Sequence, residues 1–140
     1  IKGKDVIPLL KEAGHTVYFH TIMPGGQAIN ATVSGLQLLA GNFPDTPIGV
    51  WLNPFFGEIR RDGKVFEDFL IYEEFSSQFH AVIKIPQGNK ATLGKDMEEL
   101  LAKRQSFLAA VNSSQSIAVR SRLKRYWGEL VHVITAAGLV

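Results

Sequence analysis

Apolar residues along the chain fall into two patterns, which predict strands and helices in alternation. Short runs rich in β-branched and aromatic residues, bounded by turn residues, are typical of buried strands. They predict three strands, at residues 15–23, 48–52 and 79–85. Apolar residues spaced by three and four are typical of amphipathic helices. They predict helices over residues 5–13, 27–40, 65–75 and 93–111, and a last helix from Ile117.

This order of elements predicts an α/β fold, because the connections are long enough for parallel pairing of the strands. We expect a single domain over residues 1–140, built on a parallel sheet of three strands with helices on both faces, in which residues 117–140 form the C-terminal helix. Sheets of this class usually have about five or six strands. The few strands, and a chain that opens at Ile1 rather than Met, predict a fragment of a larger sheet.

Several single residues predict where the elements begin and end. Asp5 is expected to cap the first helix, with Pro8 in its first turn and Gly14 just past its end. Asp62-Gly63 is the clearest turn signal in the chain.

The strand at 48–52 leads directly into Asn53 and Pro54. In open α/β sheets, ligands bind outside the carboxyl ends of the strands, where the Asn53 amide could both donate and accept hydrogen bonds. A simple turn is the alternative, because Asn-Pro initiates turns. Phe55 and Phe56 follow, and two adjacent aromatic residues on a loop could flank a base or contact a partner.

Two glycine-containing loops raise the question of phosphate binding. Gly25 and Gly26 follow the first strand and open a helix, so their N–H groups could hold an anion; a tight connection is the alternative. The stretch from Gly88 to Asp96 resembles a phosphate-binding loop, but its spacing is one residue too long and Asp96 replaces the required Ser or Thr. We interpret it as a loop in which Thr92 caps the next helix.

Composition argues for a folded chain without obvious catalytic chemistry. The chain is 46% hydrophobic and 20% charged, has a net charge of +2 and contains no cysteine. Its four histidines do not have metal-ligand spacing, and no Gly-x-Ser-x-Gly motif accompanies them. We therefore predict no catalytic residues and no metal ligands.

No apolar run approaches the ~20 residues of a membrane span, and no signal peptide is visible, so we expect a cytoplasmic location.

Basic residues cluster in the last helix at Arg120, Arg122, Lys124 and Arg125. They could form a patch for DNA or an acidic partner. They could equally be the solvated face opposite an apolar stripe that includes Leu123, Trp127 and Leu130.

Three stretches of the chain together resemble a known family. They are GHTVYFHTIMPGGQA, then VWLNPFFG with DGKVFED after it, and TLGKDMEELLAKRQSF. They are similar to the later half of the plasmid-encoded TraL/StbB-type proteins, which are ParA/MinD-like P-loop NTPases associated with conjugative transfer and plasmid stability. The resemblance extends from Asp5 to Leu123.

The resemblance implies a larger ATPase that binds ATP and Mg²⁺ and forms a homodimer, with its P-loop ahead of Ile1. The chain alone would then be inactive, since positioning of the phosphates supplies the catalysis in such enzymes. Asn53, Pro54 and Phe55 would lie by the adenine, and Gly25 and Gly26 on the same rim. The basic helix would contact plasmid transfer or partition proteins, or DNA.

Two functions therefore remain open at this point. The first is the C-terminal part of a plasmid-encoded ATPase of conjugation or plasmid stability. The alternative is a standalone flavodoxin-like binding module, without enzymatic activity, whose partner contacts residues 53–57.

Overall fold

The structure is a computed structural model that describes residues 3–113 and 116–139. It divides into two compact units, residues 1–85 and residues 86–140. The expectation of a single domain stays a prediction.

The first unit contains the sheet. Its elements are α1 (Gly3–Glu12), β1 (Phe19–Pro24), α2 (Ile29–Asn42), β2 (Ile48–Asn53), β3 (Arg60–Arg61), β4 (Lys64–Val65), α3 (Leu70–Phe75) and β5 (Phe79–Lys84). The second unit is helical, with α4 (Lys95–Ala102), α5 (Phe107–Ser113) and α6 (Ile117–Ala136).

Strands β1, β2 and β5 form a parallel sheet in the order β1-β2-β5. This confirms the predicted α/β class and the three-stranded parallel sheet. In the register of β1 and β2, Phe19 pairs with Ile48 and Pro24 with Asn53. The loops after β1 and β2 therefore leave the sheet side by side.

Helix α2 and the segment around α3 pack on the sheet to form the core of the first unit. Helix α2 contributes residues spaced by three and four, as its sequence pattern predicted, and the strands contribute alternate residues. The buried members are Met23, Ile29, Val33, Leu36, Ala40, Ile48, Val50, Leu52, Phe66, Phe69, Ile71 and Phe79. This packing fixes the register of β1 and β2, because a slip by one residue would expose every buried strand residue.

The first helix differs from its prediction at one end only. It is helical from Gly3, so Asp5 lies in its first turn rather than at the cap, and Pro8 lies inside the helix. Its other end is as predicted. Gly14 has φ +89°, and the N–H groups of Gly14 and His15 donate to the carbonyls of Lys11 and Leu10 at 3.0 Å each. This is the Schellman arrangement that favours glycine.

The first strand is shorter than predicted, beginning at Phe19 rather than residue 15. Its partner β2 begins at Ile48, which pairs with Phe19. Residues 15–18 have high β-propensity but pair with no strand in the described part of the chain, and pairing decides the extent of a strand.

Residues 65–75 are also less regular than predicted. Asp62 and Gly63 have φ of +53° and +74°, and they form the predicted turn within a two-stranded hairpin of β3 and β4. A short 3₁₀ turn, Phe66–Asp68, follows before α3 begins at Leu70. The expected helix is thus divided, because its aromatic residues pack on one another rather than along one helical stripe.

The predicted helix at 93–111 is two helices, α4 and α5. Arg104 has φ +51°, which a helix cannot accommodate, and the Ser106 hydroxyl accepts a hydrogen bond from the Ala109 N–H to begin α5. Thr92 is not a cap: it lies inside a π-helical turn, Lys90–Gly94, whose start is capped by Asn89.

Helix α6 begins at Ile117 as predicted, with Ser116 as its cap. Of the predicted break at 113–116, residues 114 and 115 lie outside the described residues. Among the helices that the structure describes, none combines the length and the apolar character that a membrane span requires.

Candidate functional site

The loops that follow β1 and β2 meet at the carboxyl edge of the sheet. We call residues 24–26 and 53–57 together the strand-end rim. The Gly25 N–H donates to the Asn53 carbonyl at 3.3 Å, continuing the strand pairing into the loops. The rim therefore contains the sequence-predicted residues Gly25, Gly26, Asn53, Pro54 and Phe55 in one place, as expected for neighbouring parallel strands.

Three glycines allow the two loops of the rim to touch backbone to backbone. A Cβ on Gly25 would collide with the Gly57 carbonyl and lie 2.5 Å from that of Glu58. A Cβ on Gly57 would lie 2.8 Å from the backbone nitrogen of Gly26. Gly26 and Gly57 also have φ of +70° and +144°, values that residues with a side chain rarely adopt. The rim is thus a close-packed backbone structure that tolerates no side chain at these positions.

Asn53 is half-buried at the end of the central strand. Its Oδ1 accepts a hydrogen bond from the Phe55 N–H at 3.1 Å, which caps a short 3₁₀ turn over Pro54–Phe56. Its side-chain N–H groups make no hydrogen bond to any residue that the structure describes. Asn53 therefore forms the turn that was the alternative interpretation of its sequence. Its side-chain N–H groups could still donate to a ligand.

Phe55 and Phe56 extend from this turn. Their rings are 4.9 Å apart between centroids in a T-shaped arrangement. Phe55 is 45% exposed and Phe56 is 68% exposed. Two adjacent aromatic side chains with this exposure give the rim an apolar outer surface.

A small pocket of about 180 Å³ opens at the carboxyl ends of β2 and β5. Its lining is mostly apolar and consists of Leu52, Pro54, Ile59, Val65, Phe66, Glu67, Lys84 and Ile85. Pro54 is the member that it shares with the rim.

Lys84 and Glu67 form an ion pair at 2.9 Å beside this pocket. Partial burial by itself raises the pKa of Glu67. The hydrogen bond from Lys84, a backbone hydrogen bond and the Lys84 charge outweigh burial and lower that pKa below its usual 4.5. The carboxylate is therefore negative at neutral pH.

Arg122, one residue of the predicted basic patch, is paired with a carboxylate. Its guanidinium forms a two-point ion pair with Asp96 in the second unit, with Nε–Oδ2 of 2.7 Å and Nη2–Oδ1 of 3.0 Å. The hydrogen bond to Asp96 and the Asp96 charge raise the pKa of Arg122 against the opposing effect of desolvation. Asp96 is only 6% exposed, and a buried carboxylate of this kind needs a cation such as Arg122 to balance its charge.

The remaining basic residues of the patch have no such partner. Lys124 and Arg125 are exposed and Arg120 is half-buried. Within residues 3–113 and 116–139, none of the three forms an ion pair or side-chain hydrogen bond.

One interaction at the sheet was not predicted from the sequence. His20 Nδ1 of β1 accepts a hydrogen bond from the Trp51 indole N–H of β2 at 3.1 Å. Gly49 leaves room for the imidazole, since a Cβ there would lie 2.7 Å from the same Nδ1. The signal available in the sequence was a glycine inside an otherwise apolar strand, which often marks a close approach.

Among the described residues, no group of three or more His, Asp or Glu side chains could hold a metal ion. The part of the chain that the structure describes therefore offers polar and apolar contacts at the rim and an ion pair beside a small pocket. These features define an α/β protein with a candidate ligand-binding edge at the carboxyl ends of its parallel strands.

The chain is similar over nearly its whole length to two proteins of Escherichia coli that are both named Protein TraL. One is 37% identical over 140 residues, which cover 99% of this chain and 58% of the relative. The other is 41% identical over 124 residues, which cover 87% of this chain and 52% of the relative. The chain is thus homologous to TraL proteins and spans somewhat more than half the length of each.

No protein-family model matches the chain, and the search of solved structures found no significant match. The similarity to TraL agrees with the resemblance noted in the sequence. The relation to ParA/MinD-like NTPases stays a prediction.

Proposed function

We propose that the chain is part of a TraL-type protein that serves conjugative transfer or stability of a plasmid. We further propose that, in the complete protein, the strand-end rim contacts the base of ATP. The homology to TraL proteins supports the first statement. The observation that supports the second is Asn53, a half-buried amide at the end of the central strand, whose N–H groups donate to none of the described residues.

The residues present fit the base of a nucleotide better than its phosphates. Asn53 offers donors to ring nitrogens of a base, and Pro54 lines an apolar pocket that suits a flat ring. In contrast, the Gly25 N–H, one of the groups expected to hold an anion, already donates to the Asn53 carbonyl. We propose only the base contact for the described residues of this chain.

Adenosine, which lacks phosphates, tests the base site on the chain itself. We expect adenosine to shift the NMR signals of the Asn53 side-chain NH₂ and of the Gly25, Gly26 and Gly57 amides. Asn53→Ala should abolish the response, while Asn89→Ala, which removes a capping amide in the other unit, should leave it unchanged. Unchanged rim signals at millimolar adenosine, or an equal response in Asn53→Ala, would refute the base role.

The alternative function is a binding module without enzymatic activity. It is favoured by the exposed rings of Phe55 and Phe56, which a protein partner could cover. This alternative predicts that Phe56→Ala abolishes capture of a plasmid transfer or partition protein, and that adenosine has no effect on the capture. Competition by adenosine would favour the nucleotide site instead.

A further inference from the structure

One face of α6 presents two basic residues and a tryptophan in a row. Arg120, Lys124 and Trp127 are spaced by four and three residues, so their side chains leave the helix on the same side. Leu123, three residues after Arg120 and four before Trp127, borders this row and is fully buried, so the row lies along the edge of the packed side. Trp127 is 51% exposed, although the sequence pattern had placed it with Leu123 on a buried stripe. We call Arg120, Lys124 and Trp127 the α6 face.

The charge on the α6 face is not neutralised by the described residues. Neither Arg120 nor Lys124 has an ion-pair partner among them, whereas Arg122 is bound to Asp96 on another side of the helix. The acidic residue of α6, Glu129, lies about half a turn from Trp127. Glu129 is three residues after Tyr126 in the helix, and burial together with the charge of Glu129 raises the pKa of Tyr126.

The indole ring of Trp127 packs against another aromatic ring and is still partly exposed. Its ring centroid lies 5.5 Å from that of Phe107 in α5, at an interplanar angle of 33°. This contact restricts the indole, and half of its surface remains open to a ligand. A supported aromatic ring loses little conformational freedom when another flat ring stacks on it.

We propose that the α6 face binds a single strand of nucleic acid, with Arg120 and Lys124 on phosphates and the Trp127 ring stacked on a base. Cations alone would suit any polyanion. An exposed aromatic ring in the same row favours unpaired bases, because a duplex keeps its bases stacked on each other. This site lies in the second unit and does not depend on the nucleotide role proposed for the strand-end rim.

Fluorescence anisotropy of labelled 20-nucleotide oligo(dT) with the complete chain tests the proposal. We expect salt-dependent binding, with a slope of about −1.4 in log affinity against log salt for two phosphate contacts. Trp127→Ala should weaken binding roughly 5- to 150-fold, the range that corresponds to one stacked base. A duplex of the same length should bind more weakly than oligo(dT), and oligo(U) in parallel shows whether the strand is DNA or RNA.

Charge variants provide the matched control. Lys124→Gln should weaken oligo(dT) binding and reduce the salt slope, whereas Lys64→Gln in the exposed β3–β4 hairpin of the first unit should change neither. Trp127→Phe, which keeps an aromatic ring, should retain most of the affinity if Trp127→Ala loses it through stacking rather than misfolding. The proposal is overturned if oligo(dT) does not bind, if Trp127→Ala and Lys124→Gln bind as the unaltered chain does, or if duplex DNA or anionic lipid vesicles bind more tightly than oligo(dT).

Discussion

The backbones of Gly25 and Gly57 are in direct contact, so that a Cβ on Gly25 would collide with the Gly57 carbonyl oxygen. The loop after β1 is thereby locked against the loop after β2, and Asn53 at the end of β2 accepts the Gly25 N–H on its carbonyl. The position of the candidate base-binding amide thus depends on the absence of a side chain on the neighbouring loop.

Gly25→Ala should strongly destabilise the protein, because the obstructing atoms are backbone atoms that cannot rotate away. We expect a loss of about 2–3 kcal/mol in the free energy of unfolding, measured by urea denaturation. The matched control is Gly35→Ala in α2, where a Cβ would meet nothing within 4 Å. That change should be neutral or stabilise by up to about 1 kcal/mol, since alanine favours a helix. Equal effects at the two positions would contradict the interlocked rim.

The sequence predicted the sheet and its helices well where local pattern and packing agree. The strand at 48–52 and the spacing of the buried residues of α2 follow directly from hydrophobic periodicity. Prediction failed where tertiary pairing decides, as at residues 15–18, which are strand-like but pair with none of the strands that the structure describes. It also failed at Arg104, whose positive φ divides a continuous helical pattern and which no residue-type preference indicates.

The candidate site was predictable only where it follows from the parallel order of the strands. Asn53, Gly25 and Gly26 could be located because turn residues at the ends of parallel strands must share one edge of the sheet. The role of Gly57 was not visible, because it depends on the approach of a loop distant in sequence. The pairing of Asp96 with Arg122 was likewise hidden by a separation of 26 residues.

Gly49→Ala should displace the His20 imidazole and break its hydrogen bond with Trp51. Here the obstructing atom belongs to a side chain, so we expect a smaller loss than at Gly25, about 1 kcal/mol. The Trp51 indole N–H signal in the ¹⁵N NMR spectrum should move, while that of Trp127 should not. In a His20→Ala background the loss from Gly49→Ala should largely disappear. An equal loss in both backgrounds would exclude the imidazole as the obstruction.

The ion pair of Glu67 and Lys84 should make stability depend on pH in the acid range. The pKa of Glu67 is lower in the folded state than its usual 4.5, so the contribution is complete above that pH and is lost as the pH falls through the folded-state pKa. Glu67→Gln should therefore cost less than about 1 kcal/mol at pH 7, because the pair is largely exposed. At pH 3 the cost should be smaller. Urea denaturation at both pH values measures this cost. Glu73→Gln is the control, since Glu73 is exposed and forms no ion pair with any residue that the structure describes. A cost for Glu67→Gln that does not change with pH would contradict this assignment.

Asp96 and Arg122 should contribute to stability as a pair. Arg122→Gln leaves a buried carboxylate without its cation, which is unfavourable because the charge can be neither solvated nor neutralised. We expect a lower melting temperature by circular dichroism. Adding Asp96→Asn to the Arg122→Gln variant removes the unpaired charge and should recover part of the lost melting temperature. Arg120→Gln is the matched control, since it removes a cation from the same helix that has no ion pair among the described residues. A similar decrease for Arg120→Gln and Arg122→Gln would mean that net helix charge, rather than the pairing with Asp96, sets the stability of this unit.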